Sequence, residues 1–290
     1  MYPFIHIGSF HIGTFGLLLW FAAVCATVVL YKNFDRNNID ADALNVVTIV
    51  VLAGIVGAKL WHELQSPHEL VMAWRQILLP GLSHPVDIIR GFLGWFAAGF
   101  AWYGGLLAGI AGLLWQGSVS RFKGPAEGIP GPRLGGIRML DLAAPAAALG
   151  YGVGRIGCLT SGDGDYGINT TLPWGVHMAK DALVPPTPPD ALVQPTPIYE
   201  LLFSLLVFWI LWQLGKKYKP VGWMTGLYLV LAGIGRFLVE FVRINPKIYW
   251  GMSNAQVAAL GSILVGLFVM LWSAKVNKIW SPAPVSIPQT

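Results

Sequence analysis

Two arginines stand where an apolar sequence has least use for them. Arg155 lies in the run GYGVGRIGCLTSGDGDYG (residues 150–167), at the end of an apolar stretch. Arg236 lies within another apolar stretch, four residues before Glu240. That spacing puts Arg236 and Glu240 on one face of a helix. A guanidinium carries a planar fork of donors that matches phosphate oxygens. A charge at mid-membrane costs about 2.5–3.5 kcal/mol on insertion scales and less near an interface. Such charges are therefore either paired locally, with Arg155 snorkelling to the interface, or gathered around a charged ligand. Lys59, His62, Tyr103, Tyr199 and Glu200 fall at the corresponding ends of their own apolar runs. The shared depth favours a polar cavity, and the abundant anion at that depth is a phospholipid headgroup.

Other chemistries fail on spacing. Gly152-Val-Gly154-Arg-Ile-Gly157 fits G-x-G-x-x-G, but an apolar helix precedes it and a polar loop follows, not the strand and helix of a dinucleotide site. Asp163-Gly-Asp165 opens like a calcium loop, yet residue 174 is tryptophan where that loop needs glutamate. His62-Glu63 lacks the second histidine of a zinc protease. No metal set and no cofactor are expected. Gly154, Gly157 and Gly167 read as backbone able to come close to a headgroup, or else as a helix end followed by turns. Asp163 and Asp165 bind substrate peptide or glycerol hydroxyls, or are turn residues facing water. Cys25 and Cys158 form no disulfide framework, and Cys158 reads as packing near a helix end.

The elements that must position these groups are membrane spans. The chain of 290 residues is 55% hydrophobic and only 11% charged, with mean hydropathy +0.60. Soluble domains carry about 25% charged residues, so an all-α integral membrane protein is expected. Runs long enough to span fall near 10–31, 44–62, 99–120, 138–159, 198–214, 223–242 and 253–274, which predicts about seven transmembrane helices. The segment RGFLGWFAAGF before the third run suits the membrane surface better than its interior. No segment is long enough for a separate soluble domain, so residues 1–290 read as one membrane-embedded domain with an outer loop near 160–197. Lysines and arginines divide 11 against 5 between the two sides when the N-terminus is outside, which places the C-terminus in the cytoplasm. The first run, without a basic leader, reads as a retained span. The net charge of +5 is spread through loops with no basic–aromatic interleaving, so no nucleic-acid partner is expected.

The ordered pieces GGLLAG (104–109), GRIGCLTSGDGDYG (154–167), PTPIYE (195–200) and RFLVEFVR (236–243) resemble the bacterial prolipoprotein diacylglyceryl transferase family. The resemblance implies transfer of a diacylglyceryl group from phosphatidylglycerol to the cysteine thiol of a prolipoprotein signal peptide, with release of glycerol 1-phosphate. It places the reaction at the outer leaflet of the bacterial inner membrane. Arg155 matches the arginine of the family's G-R-[IL]-G signature, Gly167 the glycine that closes the signature loop, and Tyr199-Glu200 its Tyr-Glu pair. Arg236 and Glu240 match its paired Arg and Glu. Three positions depart: Tyr103 stands for the family's histidine before Gly-Gly, Cys158 for its asparagine, and Phe15 for a tyrosine of the first span.

Arg155, with Lys59 and the three glycines, is thus expected at the lipid phosphate. Arg236, Glu240, Tyr103 and His62 are expected at the chemistry, and Tyr199 and Glu200 as substrate contacts. His62 is the replacement proton acceptor, because imidazole exchanges protons near neutral pH and phenol does not. Two other readings use the same charges: a non-catalytic binder of phospholipid or prolipoprotein, and a lipid transporter. Paired repeats and broken midplane helices, which mark many transporters, are not evident in the sequence.

Overall fold

Each of the seven apolar runs forms a helix in the computed structural model, which describes residues 4–8, 10–78, 84–97, 99–126, 128–162, 165–178, 186, 188, 190–217 and 219–280. In chain order the helices are α1 (Thr14–Arg36), α2 (Ala43–Gln65), α3 (Pro67–Leu78), α4 (Pro85–Ala97), α5 (Trp102–Val119), α6 (Gly136–Ser161), α7 (Thr196–Leu214), α8 (Trp223–Val239) and α9 (Asn254–Trp280). Five of them, α1, α2, α6, α7 and α9, are long and apolar enough to cross a membrane. The apolar α8 has 17 residues. The seven expected spans thus become seven helices, of which five meet the length and hydropathy of a span. Residues RGFLGWFA belong to α4, a helix separate from α5.

Among the described residues four antiparallel pairs lie between or before the helices: β1 (Phe4–Ile7) with β2 (Phe10–Gly13), β3 (Ile39–Asp40) with β4 (Arg121–Phe122), β5 (Val176–His177) with β6 (Leu192–Val193), and β7 (Lys247–Tyr249) with β8 (Met252–Ser253). These are two to four residues long, too short for alternation to announce them in the sequence. The first of them occupies the start of the run expected as the first span.

The chain divides into two compact units, one of residues 39–136 and the other of residues 1–38 with 137–290. In the first, α2 and α5 touch backbone to backbone. A Cβ on Gly57 would strike the Gly104 carbonyl and one on Gly104 the Gly57 carbonyl. The Ala101 amide donates to the Ala58 carbonyl at 3.0 Å. Small residues permit such contact where the membrane supplies no hydrophobic drive between helices. This explains the Gly-Gly at 104–105 mechanically.

In the second unit α6 is central. Of its apolar window 56% is buried, against 22%, 28% and 17% for α1, α7 and α9. Its small residues Ala144 and Ala148 pack with Val207 and Leu211 of α7 and Met224 of α8. Asp141, at the other end of α6 from Arg155, is a cap. Its carboxylate accepts from the Gly222 amide at 2.7 Å, the Thr225 amide at 2.8 Å and the Thr225 hydroxyl at 2.7 Å. It satisfies the open amides that begin α8, while Gly222 turns into the helix at φ +92°. Replacing Asp141 by Ala strands buried donors, at a cost of about 1–3 kcal/mol each. Asp141→Ala is therefore expected to lower the thermal midpoint of the detergent-solubilised protein, and Asp141→Asn to lower it less. An unchanged midpoint for both variants contradicts the capping role.

Candidate active site

The polar groups at the far end of α6, α7 and α8 converge on one carboxylate. Arg155 lies one and a half turns before the end of α6, Glu200 in the first turns of α7, and Arg236 in the last turn of α8. Arg155 Nε lies 3.4 Å from Glu200 Oε2, and Arg236 Nη1 donates to Glu200 Oε1 at 2.8 Å. Arg243 Nη1 is 3.8 Å from Oε2. Tyr151, one turn before Arg155, donates its hydroxyl to Oε1 at 2.9 Å, and its ring lies 4.7 Å beneath the Arg155 guanidinium. The convergence of Arg155 and Arg236 follows the sequence expectation; the carboxylate between them was expected only as a substrate contact.

Glu240 holds the other side of Arg236. Its Oε2 lies 3.1 Å from Arg236 Nη2 and 3.7 Å from Arg243 Nε. Its Oε1 accepts from Asn245 Nδ2 at 2.6 Å and from the Ser253 hydroxyl at 2.8 Å. Ser253 is itself fixed by a capping box at the start of α9. Its amide donates to Gln256 Oε1 at 3.0 Å, and its hydroxyl accepts from the Gln256 amide at 3.2 Å. Asp165, in the loop after α6, pairs with both Arg155 and Arg243. Burial pushes the Asp165 carboxyl up, but Arg243 and Arg155 outweigh burial and hold it below the usual carboxylate range. It is therefore a member of the site rather than a free turn residue. Asp163 lies outside the described residues.

Burial separates the roles. The side chains of Glu240 and Glu200 are 0% and 3% exposed, whereas those of Arg155 and Arg236 are 18% and 28% exposed. Three guanidiniums meet three carboxylates, but Arg243 is buried with the acids, so an approaching ligand reaches mainly Arg155, Arg236 and Asp165. Arg236 meets one carboxylate oxygen through each of Nη1 and Nη2. A guanidinium carries five N–H donors, so donors remain for an incoming oxyanion.

The glycines do different work from that expected. Gly154 and Gly157 lie inside α6, where an added Cβ would meet Leu19 at 3.7 Å and Phe15 at 3.3 Å, so they face α1. The left-handed turn comes later, at Gly162, φ +65°. Gly167 is wedged between two backbone segments. Its amide donates to the Gln194 carbonyl at 2.8 Å, and the next amide donates to the Val242 carbonyl at 2.8 Å. A Cβ there would strike the Val242 carbonyl and Thr196. Tyr199 does not join the charge cluster. Its hydroxyl accepts from Trp174 Nε1 at 2.7 Å and donates to Gln194 Oε1 at 3.4 Å. Cys158 Sγ accepts from Arg155 Nη1 at 3.6 Å.

Lys59, His62 and Tyr103 belong to the unit of residues 39–136. Lys59 is buried, 2.9 Å from Glu63 Oε1, and donates to the Trp95 carbonyl at 2.7 Å. Its ammonium lies 4.3 Å from the Trp95 ring. These contacts give it a structural anchor in place of an open headgroup position. His62 packs against Gly99, φ +73°. Its buried Nδ1 has no hydrogen-bond partner among the described residues and lies 3.7 Å from Glu63 Oε1. Tyr103 is 48% exposed, edge-on to Trp102 at 5.3 Å.

Arg243, Tyr151, Asn245 and Ser253 escaped the sequence reading. Arg243 steps by three from Glu240 as on a helix face, but α8 ends at Val239 and Arg243 reaches the cluster through a backbone bridge to Gly167. Asn245 and Ser253 carried no signal beyond the Ser-x-x-Gln pattern. Because Gly167 clamps the Arg243 segment, Gly167→Ala is expected to displace Arg243 and lower the thermal midpoint. Gly154→Ala, in ordinary contact with Leu19, leaves it near wild type. The reverse order in thermal unfolding refutes this division.

Residues 3–272 match the family model described as prolipoprotein diacylglyceryl transferase. Similar proteins include phosphatidylglycerol–prolipoprotein diacylglyceryl transferase 2 of Clostridium perfringens (strain 13 / Type A), 28% identical over 88% of this chain and 89% of the relative. The phosphatidylglycerol–prolipoprotein diacylglyceryl transferase of Clostridium tetani (strain Massachusetts / E88) is 28% identical over 88% of this chain and 90% of its own length. That of Aliivibrio fischeri (strain MJ11) is 28% identical over 94% and 87%. With the match running from the N-terminal strands into α9, the chain belongs to the prolipoprotein diacylglyceryl transferase family.

Proposed function

We propose that this chain transfers the diacylglyceryl group of phosphatidylglycerol to the cysteine thiol of a prolipoprotein signal peptide, releasing glycerol 1-phosphate. The observation that carries the reading is the pair of half-buried guanidiniums on the two oxygens of Glu200. Phosphate oxygens are spaced much like those of a carboxylate, so arginines that share one can share the other. The names of the relatives supply the substrates. In this reading residues 1–290 act as one membrane-embedded transferase with an outer loop near 160–197. It spans the bacterial inner membrane seven times, N-terminus outside and C-terminus in the cytoplasm, with the arginine end toward the outer leaflet.

The step is a displacement. The substrate sulfur bonds to the glyceryl carbon as the bond from that carbon to the phosphate oxygen breaks. The electron pair leaves with glycerol phosphate, and the thiol proton goes to a base. Arg155 and Arg236 stabilise the charge that grows on the departing phosphate. Glu240 and Glu200, buried and already engaged, are positioning residues for those arginines, and Arg243 ties the two carboxylates together. A free thiol has a pKa of about 8.5, so proton removal matters. His62, with a buried ring nitrogen that has no hydrogen-bond partner among the described residues, is the proposed acceptor, and Tyr103 is assigned to the substrate side of the same step. Gly167 supports the site through its backbone, whereas Gly154 and Gly157 serve α6 packing. Lys59 is assigned to holding its own unit together.

The test is purified protein in lipid with phosphatidylglycerol and a lipobox peptide, reading glycerol phosphate release. Arg155→Gln and Arg236→Gln are each expected to lower kcat about 10²–10³-fold. Arg236→Lys keeps the charge for Glu240 and loses the fork, so it separates loss of chemistry from loss of fold. Variants within a few-fold of wild type sink the phosphate role. Absence of release by the wild type in an active membrane mimetic leaves only lipid binding. His62→Gln is expected to lower kcat about a hundredfold. A kcat within a few-fold of wild type moves the proton elsewhere.

A further inference from the structure

The helices that gather arginines at one end enclose a cavity at the other. It occupies about 320 Å³ between the C-terminal turn of α1, the first turns of α6, the end of α7 and the start of α8. Five cations line it, Arg36, Arg138, Lys216, Lys217 and Lys219, against a single carboxylate, Asp141. That carboxylate is occupied by the amides of Gly222 and Thr225. Among the described residues Arg36 and the three lysines make no ion pair.

Two plainer explanations account for part of this charge. Cations complement the carbonyls that end a helix: Arg36 Nη1 donates to the Trp212 carbonyl at 3.1 Å and Arg138 Nη1 to the Lys219 carbonyl at 3.0 Å. Basic residues also collect on the cytoplasmic side of membrane proteins. Neither explains why five cations share one concavity, since like charges brought together repel. Neither explains the further contacts that brace Arg36. Its Nε donates to Asn33 Oδ1 at 2.7 Å, and its guanidinium lies 4.0 Å from the Trp212 ring. Asn33 is buried and donates in turn to the Leu142 carbonyl at 2.6 Å. A guanidinium braced by a buried amide and an aromatic face, with lysines around it, is built as an oxyanion receptor.

We propose that this cavity is a second anion site, separate from the arginine–carboxylate centre, that takes a phosphate-bearing anion: an anionic lipid headgroup of the adjoining leaflet, or a soluble phosphate. The volume falls in the range of small-ligand sites. Basic pockets between transmembrane helices on the cytoplasmic side take such headgroups. Unlike the centre at the other end, this one is not neutralised by its own carboxylates, so it holds its ligand through net charge. Its occupancy therefore weakens as salt rises.

The three lysines follow α7, two of them exposed, so their replacement spares the core. The experiment is native mass spectrometry of the full chain in a zwitterionic lipid mimetic. Phosphatidylglycerol is titrated in one arm, inorganic phosphate and glycerol 1-phosphate in the other. Wild type is compared with Lys216→Gln/Lys217→Gln/Lys219→Gln and with Arg236→Lys, and thermal midpoints verify folding. The triple variant is expected to lose one class of bound anion, with affinity weakened at least tenfold, since each lysine near an anionic headgroup is worth roughly fivefold. Arg236→Lys is expected to leave that class intact, which keeps this result independent of the proposed transferase site. Loss of a lipid alone identifies a headgroup, and loss of soluble phosphate binding identifies a free anion. A triple variant that matches wild type in both arms overturns the proposal.

Discussion

The Glu200 carboxylate is the constraint on which the site depends. It is buried on α7, and its oxygens serve Tyr151 and Arg155 of α6, Arg236 of α8, and Arg243 beyond it. A carboxylate cannot be taken out of water without partners. Leaving one behind after its partner is removed costs about 3–5 kcal/mol. The ends of three helices must therefore reach one level together. Local sequence makes this possible: Pro197 opens α7, Gly162 ends α6 with a positive φ, and Glu240 closes α8. Asn245 and the Ser253–Gln256 capping box then bind Glu240 to the start of α9. The cluster is cooperative because no member is satisfied by one neighbour alone.

This arrangement divides labour by depth. The acids are inside, where their orientation is fixed before any ligand arrives. The two arginines at the mouth keep donors unclaimed. Preorganised donors in a region of low dielectric need no rearrangement when charge develops. That physical fact links the helix ends to the proposed chemistry. Asp165 extends the same logic into the loop, where Arg243 and Arg155 hold it in its charged form. The loop is thus tied to the helix ends by charge and, through Gly167, by backbone hydrogen bonds.

Much of the helical architecture was legible because membrane spans are written in composition. The apolar runs gave helices, and the four-residue step from Arg236 to Glu240 gave their shared face. What was not legible followed from the same source. A glycine inside an apolar helix reads identically whether it lets a headgroup approach or lets another helix pack. Gly154 and Gly157 proved to pack against α1. Strands of two to four residues leave no periodic trace. Lys59 looked available because a sequence does not show that Glu63, one turn on, and the Trp95 carbonyl claim it. Arg243 lies past the end of α8, and its place in the cluster follows from a backbone bridge to Gly167 that no local spacing announces.

The balance of charge at the arginine centre bears on how a transferase of this kind turns over. Three uncompensated arginines would hold a phosphodiester tightly and its phosphomonoester product more tightly still, because the product carries more charge. Binding that is equal or stronger in ground state and product adds nothing to kcat. Three carboxylates among the arginines reduce that grip. They leave the guanidiniums free to favour the oxyanion only as its charge rises above that of the substrate. In the proposed reaction, phosphatidylglycerol enters with one negative charge and the departing phosphate gains another as the carbon–oxygen bond breaks. A neutral cluster with oriented donors responds to that difference rather than to the total. The buried acids therefore serve release as well as orientation.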